Sequence, residues 1–341
     1  MPRVGVLLLV VACGSQTAPP DAGLPPQYRL DRPCLSGVVG GPLVPSAWDE
    51  LFVAHGCVGQ FGETVQYGPG IFGVSQCCDF IFHFELIGVT GPSVVAIHES
   101  RRELMLFGPG FRSVRFAHVF DDIAILDFDG DAAPDYVVAG DGAIRRAPVT
   151  NRNFVEAVEE IELLSGKPYR FVAVADLGGS ALLDLFYITG DGEIGIAIQV
   201  APDAFFEQVL AQDRGAPRRL VVADVDGDGR DDIVGAAGHL FVRSSKTGAF
   251  AMLDEPVHAI GVGDFNADGI GEPVFVTADR AAVRRVVIAE NGALASEPLI
   301  EHGGDAMAIA DLDGDRRSDI ALVHDLNAAS SWLYLHRAFT F

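Results

Sequence analysis

Residues 223–236 read ADVDGDGRDDIVGA. Five aspartates, Asp224, Asp226, Asp228, Asp231 and Asp232, fall within nine positions, between the apolar runs LVVA and IVGAAG. Carboxylates this close repel one another, so such a turn is either screened by water or held by a cation. Repetition decides how to read it. The same spacing recurs as DFDGDAAPD at Asp127, Asp129, Asp131 and Asp135. It recurs again as DFNADGIGE at Asp264, Asn266, Asp268 and Glu272, and as DLDGDRRSD at Asp311, Asp313, Asp315 and Asp319. A worn copy, DLGGSALLD, keeps only Asp176 and Asp184. The first positions of these five turns lie 49, 48, 40 and 47 residues apart.

A fixed period of that size marks an array of supersecondary units rather than one continuous core. Two earlier stretches fit the frame without the acids. ELIGVTGPSVVAIH places Glu85 and Ser93 at positions 1 and 9, and PLVPSAWDELFVAH places Pro42 and Glu50 there. That makes seven units. In each, an apolar run of small residues precedes the turn, which suits a strand crowded near an axis. A run that is apolar at nearly every position follows, which suits a strand buried on both faces. Two more mixed segments complete each unit. The expected fold is all-β: a seven-bladed β-propeller with four-stranded antiparallel blades, closed so that sheet edges are hidden. The last unit ends about two strands past its turn, so an N-terminal segment is expected to complete it.

The turns have a cation logic. Side-chain oxygens at positions 1, 3 and 5, a backbone carbonyl at 7 and an acid at 9 form a hard oxygen shell that favours Ca²⁺. An EF-hand begins alike but needs Glu at position 12, where the best copy has Gly235, and helical flanks. The turns resemble the FG-GAP and VCBS repeats of the integrin α-chain type. That resemblance implies a seven-bladed propeller with Ca²⁺ in the turn between the first two strands of a blade. By that comparison four units keep the ligand set: Asp127, Asp129, Asp131, Asp135; Asp224, Asp226, Asp228, Asp232; Asp264, Asn266, Asp268, Glu272; and Asp311, Asp313, Asp315, Asp319. The units at Asp176, Glu85 and Pro42 are expected to hold no metal. Four Ca²⁺ would offset eight of the 23 net negative charges.

That acidity argues against nucleic acid, which selects a basic footprint. The N-terminus reads as an export signal: Arg3 is followed by the nine-residue run Val4–Ala12, too short to span a bilayer. The run ends in VVAC and resembles a bacterial lipobox, with Cys13 as the lipidated residue. Residues 1–12 are thus expected to be a signal peptide, 13–33 a lipidated, Pro/Gly-rich tether, and 34–341 the propeller. Cys34, Cys57, Cys77 and Cys78 allow three disulfide pairings. Adjacent cysteines bridge poorly, so Cys34 and Cys57 are each expected to pair with one of Cys77 and Cys78, stapling a first blade at 34–80.

Five places after position 9, where the second strand leaves the sheet, stand His55, His98 and His324 in the first, second and last units. These units adjoin once the ring closes, so the three histidines are expected to meet on the rim opposite the turns, with Glu99 and Asp325 beside two of them. Among nucleophile and phosphate signatures, G-x-S-x-G, H-E-x-x-H and a phosphate loop are all missing from the sequence. The reading is a Ca²⁺-stabilised, non-catalytic module, lipid-anchored at a bacterial cell envelope, that binds a protein or glycan. The alternatives are a secreted Ca²⁺-dependent propeller enzyme, such as a polysaccharide lyase, and a lectin.

Overall fold

A computed structural model of the chain describes strand backbone in patches up to residue 98, then residues 100–107, 112–148, 159–177, 179, 182–215, 219–289, 291–312, 315–324 and 331–336. Side chains are described at residue 97, at 100–106, and from 113 onward within these ranges except at 331–335. Among the described residues every regular element is a β-strand, and the strands pair antiparallel.

The strand boundaries follow the repeat. A second strand begins at position 9 of each unit: Glu50–His55, Ser93–His98, Asp135–Gly140, Asp184–Thr189, Asp232–Ala236, Glu272–Thr277 and Asp319–His324. Asp135–Gly140, Asp184–Thr189 and Asp232–Ala236 are buried at every position, so their unbroken apolar runs do cover both faces. Each pairs with a preceding first strand. These are Leu35–Gly41, Phe84–Thr90, Asp122–Leu126, Tyr169–Ala175, Arg219–Ala223, the second half of Phe250–Gly263, and Ala306–Ala310. Glu85 departs from its expected place. Its strand runs on to Thr90, which pairs with Ser93, so no nine-residue turn separates the two strands there.

The first strands pack one against the next along the chain, and Ala306–Ala310 packs back against Leu35–Gly41. Small residues allow this. A Cβ added to Gly263 would lie 2.6 Å from Ile309 Cγ2 and 2.7 Å from Ser318 Cβ, inside van der Waals contact. The core is accordingly divided into layers between successive units. Val137, Tyr169, Val174 and Tyr187 make one layer, Phe186, Ile233 and Phe241 the next, and Val234, Ile260 and Phe275 a third.

The sheets are not uniformly four-stranded. Among the described residues four sheets have four strands, one has five and one has seven. The seven-stranded sheet arises because Phe250–Gly263 is one continuous strand of 14 residues. Its first half pairs with His239–Arg243 and its second half with Glu272–Thr277. The outer strand of one unit thus runs without a loop into the first strand of the next. The 40-residue spacing between Asp224 and Asp264 is shorter than the others for this reason. In the five-stranded sheet, Leu35–Gly41, Glu50–His55, Phe61–Gly68 and Ile71–Asp79 are joined by the two-residue strand Leu8–Leu9, inside the stretch expected to be a signal peptide.

The last sheet takes its outermost strand from the other end of the chain. Gln27–Leu30 pairs with Ser331–His336, Tyr28 opposite Leu333. These four residues lie in the stretch expected to be a flexible tether. An otherwise open sheet edge gives their backbone N–H and C=O groups partners.

Candidate metal centres

Each acidic turn links a first to a second strand, and its own carboxylates tie its backbone. The side chain at position 1 accepts from backbone N–H groups further round. Asp127 takes Gly130 N at 2.8 Å and Ala132 N at 3.0 Å, Asp224 takes Gly227 N and Gly229 N at 2.8 Å each, and Asp264 takes Gly269 N at 3.0 Å. Asp311 takes Arg316 N at 3.0 Å. Position 5 caps the N–H two residues on, at 2.8 Å in each of Asp131, Asp228, Asp268 and Asp315. Such side-chain turns are what Asp favours locally. Position 6 is left-handed in all four, with φ of 66° at Ala132, 82° at Gly229, 89° at Gly269 and 73° at Arg316. The four turns therefore share one conformation.

Position 9 does something the sequence did not disclose. In five turns its carboxylate accepts the N–H of position 2, from Phe128, Leu177, Val225, Phe265 and Leu312, at 2.8–3.1 Å. Asp232 also takes Ser245 N, and Asp184 takes Gln199 N, both at 2.8 Å. The worn turn keeps this acid although it has lost those at positions 3 and 5. Asp184 is fully buried and bonded through both oxygens to backbone. Burial pushes the carboxyls of Asp135, Asp232 and Glu272 above their usual range. Neighbouring aspartates add to it: Asp129 for the first, Asp226 and Asp228 for the second, Asp268 and Asp264 for the third.

Positions 1, 3 and 9 converge in two turns. One carboxylate oxygen each from Asp127, Asp129 and Asp135, and likewise from Asp224, Asp226 and Asp232, lie within 4.8 Å of one another. Hard oxygens gathered this closely fit a hard divalent cation. The turns differ in what already faces those charges. At Asp129 it is the guanidinium of Arg146, 2.5 Å away, which also stacks 5.8 Å over Phe128 and stands 3.9 Å from Asp135. At Asp226 it is a neutral hydroxyl, Ser244 Oγ, at 2.9 Å, with Lys246 3.8 Å from Asp228. In the third turn Asn266 Nδ2 donates to Asp268 at 2.9 Å and to Glu272 at 2.7 Å. The turn at Asp224 is therefore the best suited to an ion. Asp313 lies outside the described residues.

Of the histidines expected on the opposite rim, His55 and His98 end their strands, but their side chains, like Glu99 and Asp325, lie outside the described residues. So do Cys13, Cys34 and Cys57 and the side chains of Cys77 and Cys78. His324 is described, and it meets two histidines the repeat frame does not pick out. Its ring lies 6.1 Å from that of His302, whose ring lies 4.7 Å from that of His336.

A second polar group also escaped the sequence reading. Lys167 Nζ donates to Tyr187 at 3.0 Å and to Glu193 and Glu207 at 2.7 Å each, and Tyr169 donates to Glu207 at 3.2 Å. Lys and Tyr beside carboxylates are the parts of an acid–base site. Here all three ammonium hydrogens are engaged. Burial drives Tyr187 up to about 12 and Tyr169 higher still, and the bonds to Glu193 and Glu207 raise Lys167 despite burial. Both tyrosines are buried, and the group ties the strands of its sheet together.

No protein-family profile matches the sequence, and no curated protein does. Solved structures do resemble it in fold. BBS1N, in a structure of its complex with ARL6DN, is 9% identical with a TM-score of 0.60, over 99% of this chain and 98% of that one. A catalytically inactive virginiamycin B lyase from Staphylococcus aureus, solved with quinupristin, is 11% identical with a TM-score of 0.58, over 91% and 98%. A chain of the mitotic checkpoint complex is 13% identical with a TM-score of 0.52, over 97% and 100%. At these identities the likeness is one of fold, and the chain is an all-β, propeller-like molecule.

Proposed function

We propose that the chain is a seven-bladed propeller of the FG-GAP/VCBS type. In this reading Ca²⁺ stabilises its acidic turns, and it serves as a non-catalytic binding module for a protein or glycan at a bacterial cell envelope, anchored through Cys13. The observation that carries the fold reading is the set of seven first strands, each packed on the next, with the last packed on the first. The continuous strand Phe250–Gly263 is then counted as the outer strand of one blade and the inner strand of the next. Ca²⁺ is carried by the converging oxygens of Asp224, Asp226 and Asp232, whose pairwise repulsion an ion would relieve. Propellers solved in complexes with protein partners support a binding role, and one solved neighbour is a lyase. Against catalysis here stands the Lys167 group, which has the residue types for acid–base work but no free donor.

Thermal melting with Ca²⁺ and with chelator tests the metal. Binding to the folded state alone raises stability by RT ln(1 + [Ca²⁺]/Kd), ~2.7 kcal/mol at a hundredfold excess over Kd. Unchanged melting, with no Ca²⁺ by elemental analysis, would sink the metal reading. A screen against envelope proteins and glycans, beside an assay for eliminative cleavage of acidic polysaccharides, separates binder from lyase.

A further inference from the structure

Three histidines gather at the last sheet without any part in the acidic turns. His302 lies in the connection from Leu294–Ile300 to Ala306–Ala310, His324 ends Asp319–His324, and His336 ends Ser331–His336. All three are half-buried. His302 Nε2 and His336 Nε2 stand 2.9 Å apart, nitrogen to nitrogen. Two imidazoles placed this way share either one proton or one metal ion.

One pair, His302 and His336, is close to the spacing an ion holds, and His324 stands further off. Four-coordinate zinc with nitrogens at ~2.05 Å holds two of them about 3.3 Å from each other, and the ring centroids about 5 Å apart. The His302–His336 pair needs to open by only a few tenths of an ångström. The His302 and His336 centroids, 4.7 Å apart, are near the bound value, whereas His324, its ring 6.1 Å from that of His302, must move in to complete the set.

We propose that His302, His336 and His324 bind one divalent transition-metal ion of the zinc, cobalt or nickel class. Imidazole nitrogens select these ions over Ca²⁺, so the site stands or falls apart from the acidic turns. The ion would join the connection entering the last sheet to two of its strands. One of these, Ser331–His336, also carries the N-terminal strand Gln27–Leu30. Its chemistry is that of a staple at the place where the two chain ends meet.

The test uses the full chain with saturating Ca²⁺, titrated with Co²⁺. One equivalent should produce the visible ligand-field bands of a nitrogen-bound tetrahedral ion, and Zn²⁺ should bleach them. His302→Gln and His336→Gln should each lose the bands while keeping the Ca²⁺-dependent melting shift. In the unmodified chain, one equivalent of Zn²⁺ should protect these three histidines from carbethoxylation, read by peptide mapping. This second measurement decides if the variants fail to fold. No bands at stoichiometric Co²⁺, bands that persist in both variants, or modification of all three histidines with Zn²⁺ present overturns the proposal.

Discussion

At position 9, one residue carries two duties that the sequence runs together. The repeat places an acid there in five turns, and ligand logic assigns four of them to a cation. Asp184 separates the duties, because its turn lacks the acids of positions 3 and 5 and yet it is fully buried with two backbone N–H partners. Its task is to satisfy donors that burial would otherwise strand. Asp232 has the same pair of bonds and, in addition, Asp226 and Asp224 within reach. Replacing either with Asn turns one acceptor into a donor facing an N–H. Asp184→Asn and Asp232→Asn should each lose about 1–3 kcal/mol in chelator, read by urea unfolding. Only Asp232→Asn should also lose part of the Ca²⁺-dependent gain. Equal loss of the Ca²⁺ gain in both would show that position 9 acts on ions only through the fold.

At the scale of the turn, the titration has a definite sign. Asp135, Asp232 and Glu272 have folded-state values raised by burial and by neighbouring carboxylates. A raised carboxyl contributes stability that is fully present below its unfolded value, about 4, and is lost as pH rises through the folded value. Glu207 works the other way. Its carboxyl is depressed by Lys167 and two tyrosines despite burial, so its contribution is lost as pH falls. Ca²⁺ competes with protons for the first three groups and not for Glu207. The melting shift produced by Ca²⁺ should thus be small near pH 4 and grow towards pH 7. A shift independent of pH across that interval would place the ion away from these acids. How far such elements could be read from sequence depends on what fixes them. Strand starts at Asp135, Asp232 or Asp319 were legible because a nine-residue spacing and an apolar run determine them. The junction at Pro256 and Val257 was not, since Asp254 and Pro256 are residue types that favour a turn, yet the strand runs through them, and the short spacing is its one sign. Arg146 sits outside the turn motif, so its place beside Asp129 had no local signal. His302 and His336 fall at no shared repeat position, and only folding brings them together.

For the whole molecule, the layered core makes contact between neighbouring sheets the decisive event. Apolar clusters draw on two neighbouring sheets, as Phe186 and Phe241 do across a 5.6 Å stack, so a sheet without a neighbour would expose a face. The last sheet is completed only by Gln27–Leu30, 301 residues before its partner strand begins at Ser331. Joining strands so distant in sequence carries a loop-closure cost that grows slowly with length and is offset by the pairing it completes. Two truncations isolate this strand. A chain starting just before Gln27 also lacks Leu8–Leu9, so it is the reference against which the shorter chain is read. One starting at Leu35 should leave Ser331–His336 as an open edge with unpaired backbone groups, a template for pairing with another molecule. It should melt at lower temperature, and light scattering after size exclusion should find oligomers that form through that edge. Adding a peptide of residues 25–32 should restore both the melting temperature and the monomer, because the same hydrogen bonds can be made in trans. If the shorter chain melts unchanged and stays monomeric, the N-terminal strand is not what closes the fold.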